Sequence, residues 1–172
     1  MKDFYKQFCK EGFDEKGVLN FFEPVFEPNF NFAYDVVDKI AELEPNRRAL
    51  VWCNEAGEER IFSYGDIKKY SNKAANLFVK HGVKKGDKVM LILKRHYQFW
   101  FAIIGLHKIG AVAVPGTNLL TTKDLLYRFE SASVKSIVCT GECNISEYVD
   151  EACEKYKDIN SKFIVRGTRE NW

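Results

Sequence analysis

The chain lacks any apolar run long enough to cross a bilayer. Its longest, Phe99 to Leu106 (FWFAIIGL), falls far short of the ~20 residues a spanning helix needs. It also lacks a charge bias: 26 Lys and Arg stand against 24 Asp and Glu, so no overall field demands nucleic acid or an anionic membrane. The opening MKDFYKQFCKEGFDEKG has no apolar core ahead of a small-residue cleavage site, which argues against a secretory leader. The 5 cysteines are odd in number, and without a leader they read as reduced thiols, so the expected location is cytoplasmic. Cys139 and Cys143 stand close, yet zinc sites take pairs of ligands from two places. His81, His96 and His107 are scattered upstream, and no metal site is expected.

Motifs are missing as well. There is no G-x-G-x-x-G and no Walker G-K-[ST], which argues against a free-standing nucleotide-binding domain. There is no G-x-S-x-G nucleophile elbow either. Ser63 reads as a helix cap, and Ser131 and Ser133 fall at a helix end.

What is present is the mixture of a globular chain: 46% hydrophobic and 29% charged residues in 172, enough for one well-buried domain. Residues 1–30 are aromatic and acidic, and the prolines of FFEPVFEP push their neighbours to extended backbone, so this part reads as an arm. From residue 31 to 172 the pattern is that of an α/β domain. Phe32, Val36, Ile40 and Leu43 mark a helix that Pro45 stops, and Ala49–Cys53 with Glu59–Phe62 forms a hairpin. Ser63-Tyr-Gly-Asp66 opens a helix to His81 with a capping box, and Gly82 ends it. Strands are then expected at Lys88–Leu93, Ala111–Val114, Lys135–Cys139 and Phe163–Val165. Helices are expected at Tyr97–Lys108, Thr122–Ser131 and Ile145–Tyr156, with Thr121 as an N-cap. Alternation of strands and helices implies right-handed crossovers and a mostly parallel sheet. MLIL and VAV are apolar on both faces and read as middle strands, with helices covering both sides.

Ligands of such sheets bind beyond the carboxyl ends of the strands, which points to the loops after Leu93, Val114, Cys139 and Val165. His96 lies there and could act as a base, but it has no partner in the sequence pattern and reads as an ordinary loop residue. His107 reads as a boundary residue, and Glu58-Glu59 as a solvated turn. Lys80, Lys84, Lys85, Lys88, Lys94 and Arg95 outnumber Asp87, yet they straddle a turn and a strand and make no nucleic-acid stripe.

Three segments in order resemble the adenylate-forming (AMP-binding) superfamily, which includes acyl-CoA synthetases, peptide-synthetase adenylation domains and luciferases. They are Phe62-Ser63-Tyr64-Gly65-Asp66-Ile67, then Gly82-Val83 to Gly86-Asp87-Lys88-Val89, then Leu106 through Gly110-Ala111 to Val114-Pro115. Phe30-Asn31-Phe32-Ala33-Tyr34-Asp35-Val36, and Pro115-Gly116-Thr117 leading into Lys123-Asp124, are similar to the medium-chain acyl-CoA synthetase branch. The resemblance covers about Phe30 to Cys139 and implies the first part of such an enzyme's N-terminal domain.

It also implies a parent reaction in which a small carboxylic acid, MgATP and CoA give an acyl-adenylate and then the thioester. The family's phosphate loop, metal-placing acid, ribose-binding Asp and lid lysine come later in the order than Trp172. Thr140-Gly141-Glu142 lies too early to be the ribose motif. No catalytic residue is therefore assigned, and no tight binding of ATP, Mg²⁺ or CoA by these residues alone is expected. The resemblance places Thr117, Asn118 and Leu119 on the side where CoA enters. The expected partner is the remainder of the same enzyme, with neither nucleic acid nor membrane. Self-association is expected through apolar surface at Phe21, Phe22, Phe26, Phe30 and Trp172. A second reading is a short stand-alone binding module of the same lineage without catalysis.

Overall fold

The structure is a computed structural model, and it describes residues 3–172. The chain divides into two compact units, Met1–Asn31 and Phe32–Trp172.

The first unit is more ordered than an extended arm. A 3₁₀ turn, Phe4–Gln7, leads into β1 (Cys9–Phe13), which pairs antiparallel with β2 (Leu19–Pro24). The turn chemistry is local: Asp14 Oδ1 accepts the amides of Lys16 and Val18 at 2.9 and 2.8 Å, and Gly17 takes a φ of 77°. Asp14-Glu-Lys-Gly17 is thus the hairpin signal that an arm reading passes over. Every residue of β2 is exposed, and so are Phe26 and Phe30.

The second unit begins with a wide π-type winding, Phe32–Asp38, that tightens into α1 (Lys39–Leu43). The apolar spacing marks this helix correctly but carries no sign of the wide turns. β3 (Arg48–Cys53) and β4 (Glu59–Ser63) form the expected hairpin. α2 (Tyr64–Lys80) starts at the capping box: Ser63 Oγ accepts the Asp66 amide at 3.1 Å, and Asp66 Oδ2 accepts the Ser63 amide at 3.0 Å.

β5 (Lys88–Ile92), α3 (Gln98–Lys108), β6 (Val112–Pro115), α4 (Thr122–Ala132), β7 (Val134–Thr140), α5 (Ile145–Lys155) and β8 (Ser161–Val165) complete the chain. All pairings in the large sheet are parallel, in the order β6-β5-β7-β8. The period of two in β5 divides its side chains between the two layers. Val89, Leu91 and Leu93 meet Phe78 of α2 and Ala102 and Leu106 of α3. Met90 and Ile92 meet Leu125 and Phe129 of α4 and Val149 of α5. α2 and α3 approach closely because residue 105 is glycine: a Cβ there would lie 2.9 Å from the Ser71 carbonyl oxygen.

The strand order corrects one expectation. VAV is not a middle strand: β6 is an edge, and Val112 is 46% exposed. β7 takes the inner place, because α4 crosses the opposite face and returns the chain to the far side of β5. An apolar run of this length fits either position, so its composition cannot choose between them.

Candidate functional site at the carboxyl edge of the sheet

The crossovers locate the site. The chain leaves β5 for α3 on one face, whereas it leaves β6 and β7 for α4 and α5 on the other. Loops that diverge to opposite faces open a crevice at the carboxyl ends of neighbouring strands, and here this happens on both sides of β5.

On the β6 side lies the loop of the sequence candidates. It is anchored at both ends. The Gly116 amide donates to the Leu91 carbonyl at 2.9 Å. Thr121 closes a second capping box with Asp124, whose Oδ2 accepts the Thr121 amide at 3.0 Å. Those bonds hold the Asp124 carboxyl below its usual pKa. Between the anchors, Thr117 is exposed, Asn118 is half-buried, and Leu119 is 81% exposed. The Leu119 amide donates to Thr117 Oγ1 at 3.3 Å. The loop therefore presents a hydroxyl, an amide and an unburied leucine from a fixed frame.

On the β7 side the crevice is filled by the protein's own side chains. His96 is buried, with Nε2 2.7 Å from Thr140 Oγ1 and 3.6 Å from Glu142 Oε2. Arg166 Nη1 donates to Glu142 Oε1 at 3.0 Å and lies over the Trp52 ring at 5.3 Å. The Trp52 indole in turn donates to the Arg95 carbonyl at 2.6 Å. Lys94 and Arg166 both take left-handed backbone, at φ 50° and 55°, which strains a residue with a Cβ. A Cβ on Gly141 would meet the Arg166 carbonyl oxygen at 2.5 Å. The loops after β5, β7 and β8 are thus fastened to one another and to the β3–β4 hairpin.

This cluster resembles an acid–base relay only in composition. A relay needs the carboxylate on the ring nitrogen opposite the hydroxyl. Here Glu142 and Thr140 share Nε2, and Thr140 is itself fully buried. His96 is a fastening and not a base. The sequence hints only at its position, since Glu142, Arg166 and Trp52 are far apart in the chain.

Burial lowers the pKa of His96 and His107 below the usual histidine value. The charged form is therefore disfavoured in the fold and available in the unfolded chain. Stability is full above the unfolded pKa of about 6.5 and declines as pH falls below it. Urea unfolding at about pH 7.5 and pH 5.5 should show a lower midpoint at the acid value. His96→Gln should shrink that difference, and an unchanged difference would count against it.

Among the described residues, no three His, Cys, Asp or Glu side chains gather as a metal site. Cys139 is buried, which pushes its thiol up to about 12 and makes it a poor nucleophile. Trp172 also departs from expectation. It is half-buried: its indole donates to Asp150 Oδ1 at 3.0 Å, and Lys162 Nζ lies 4.9 Å from its ring. Asp150 binds Arg169 at 2.6 Å as well, so it holds the last residues down. A polar partner for the indole nitrogen removes Trp172 from the exposed apolar surface.

The sequence model of the AMP-binding enzymes matches residues 37–171. The chain is 36% identical over 150 residues to the mitochondrial acyl-coenzyme A synthetase ACSM5 of Rattus norvegicus, covering 83% of this chain and 26% of that protein. It is 35% identical over 150 residues to human mitochondrial ACSM3, covering 83% and 25%. The chain therefore spans about a quarter of the length of these relatives. Among solved structures, the N-terminal domain of FACL13 from Mycobacterium tuberculosis superposes with a TM-score of 0.68 at 20% identity, over 79% of this chain and 34% of that one. The cytoplasmic expectation is overturned, because these curated relatives are mitochondrial; the cysteine count behind it says only that thiols are reduced, which does not single out one compartment. With its family match spanning nearly all of the second unit, and its parallel sheet superposing on a solved N-terminal domain, the chain belongs to the AMP-binding enzyme family.

Proposed function

We propose that this chain forms the CoA-facing part of an acid–thiol ligase that converts a small carboxylic acid to its CoA thioester through an acyl-adenylate. The observation that carries this is the loop beside β5, anchored by Gly116 and Thr121 while it presents Thr117, Asn118 and Leu119. Thr117 and Asn118 would offer a hydroxyl and an amide to the polar arm of CoA, and Leu119 an apolar contact.

The residues do not fit MgATP. A triphosphate needs successive backbone amides at a glycine-rich turn and a cation aimed at them. On the β5–β7 side, the groups at the carboxyl ends are already engaged with one another: His96 with Thr140, and Glu142 with Arg166. Adenylation therefore belongs to other parts of the family's enzymes, and this chain by itself is a binding wall without a catalytic residue.

ATP–pyrophosphate exchange with butyrate, hexanoate, octanoate and benzoate tests the reading. Residues 1–172 should give only background. Loss of a single charge-stabilising donor costs ~10²–10³-fold in rate, and here the whole set is missing. An extended protein carrying the later motifs should turn over and lose activity with its lid lysine. Turnover by residues 1–172 alone would overturn the assignment.

A further inference from the structure

The excess of positive charge along residues 80–95 is divided by β5. Lys80, Lys84, Lys85 and Lys88 come before the strand or at its first residue, together with Asp87, whose Oδ2 accepts the Lys84 amide at 2.8 Å. Lys94 and Arg95 stand at the carboxyl end instead. Both are exposed, and neither side chain makes a hydrogen bond or ion pair among the described residues. Glu142, the carboxylate of the His96 cluster, is already taken up by Arg166, whose guanidinium holds it below its usual pKa. The backbone under the two cations is fixed. Lys94 is left-handed at φ 50°, the Arg95 carbonyl accepts the Trp52 indole at 2.6 Å, and the His96 amide donates to the Leu93 carbonyl at 2.9 Å. Backbone strain of this kind persists only where the surroundings enforce it, and it gathers at ligand sites. The Gly116–Thr121 loop starts on the adjacent strand, about 4.8 Å across. A Cβ on Gly116 would lie 3.6 Å from Ile92 Cγ1, two residues before Lys94.

We propose that Lys94 and Arg95 hold the phosphate end of CoA and set its preference over thiols that lack phosphate. The proposal rests on the ligase reading and names the groups that complete the same site. CoA joins an uncharged arm, with two amides and an apolar gem-dimethyl carbon, to a diphosphate and a 3′-phosphate. The Gly116–Thr121 loop suits the arm but contains no Lys or Arg, so it has no charge to set against phosphates. The next cation along the chain, Lys123, lies beyond the cap and in the field of the Asp124 carboxylate. Lys94 and Arg95 on the neighbouring strand supply the missing charge, one as a compact ammonium and the other as a fork that matches two phosphate oxygens. Arg166 assists indirectly, because a neutralised Glu142 does not repel the incoming anion.

The test is an amide NMR titration of residues 1–172 with CoA, pantetheine and inorganic diphosphate, a method that reads weak binding. CoA should shift the amides of Thr117–Leu119 and of Lys94 and Arg95 together and saturably, and should weaken as salt is raised. Lys94→Gly with Arg95→Ala should weaken CoA at least about tenfold and leave pantetheine unchanged. Glycine suits the left-handed backbone at residue 94, so that loss would not be one of folding. Lys80→Ala, at the other end of the charge excess, should leave CoA binding as it was. Equal CoA affinity in the double variant, with pantetheine still shifting Thr117–Leu119, would overturn the proposal and leave the ligase reading standing. No shift at Thr117–Leu119 with CoA or pantetheine would overturn both. Diphosphate binding as tightly as CoA would also overturn the proposal, by reducing the pair to a general anion patch.

Discussion

Lys108→Ala will destabilise the second unit by about 3–5 kcal/mol. The Lys108 side chain is 1% exposed, and its ammonium lies 2.7 and 2.9 Å from the two Asp38 oxygens and 2.7 Å from Asn72 Oδ1. An ammonium has three protons, and these three contacts use them all. Tyr34 adds a ring face at 5.7 Å. Asp38 closes the π-type winding, Asn72 sits in α2 and Lys108 ends α3, so one cation joins three elements. Truncation leaves the Asp38 carboxylate buried without its partner, which is why the loss exceeds that of a surface pair. Lys108→Met keeps the apolar stem and should still lose most of the stability. Lys108→Met with Asp38→Leu should recover part of it, since a buried pair costs desolvation that two apolar side chains do not. Urea unfolding measures all three, and a loss under about 1 kcal/mol for Lys108→Ala would refute the argument.

Phe129→Ala should cost about 3–5 kcal/mol for a different reason. Phe129 is fully buried on α4, in the cluster with Leu125, Val134, Ile137 and Val149, and its ring lies 5.8 Å from that of Tyr156. It fills the space between the α4–α5 layer and the strands. Removing the ring forfeits apolar burial and leaves a cavity that the sheet and two helices cannot close without moving their backbones. Phe129→Leu retains most of the volume and should cost much less. The pair of variants separates packing from any effect on the helix itself. A cost for Phe129→Ala no larger than that for Phe129→Leu would show that the layer collapses freely.

The two predictions differ in how far sequence anticipates them. Leu125 and Phe129 stand four apart on a helix opened by Thr121, and that spacing alone puts them on one face. Lys108 reads only as a charged residue beside His107, because its partner Asp38 lies 70 positions away. The carboxyl-edge site divides in the same way. The Gly116–Thr121 loop is legible, since a strand, a glycine and a capped helix follow one another in the chain. The His96 fastening is not, because Thr140 is 44 positions away and Glu142 chooses between solvent and Arg166 only once β7 and β8 are neighbours.

By itself the sequence determined the events that close within a few residues. The capping boxes at Ser63 and Thr121 depend on Asp66 and Asp124 three positions on, and the alternating apolar residues of β5 set which side chains face which layer. Such bonds form inside one turn or one strand, whatever the rest of the chain does. Tertiary structure alone decided that β7 displaces β6 from the centre of the sheet and that Trp172 is held by Asp150. It also buried Lys108 against Asp38. Strand order follows from the face each crossover helix takes, and that choice minimises exposed apolar surface over the whole domain. No local window of residues contains that sum.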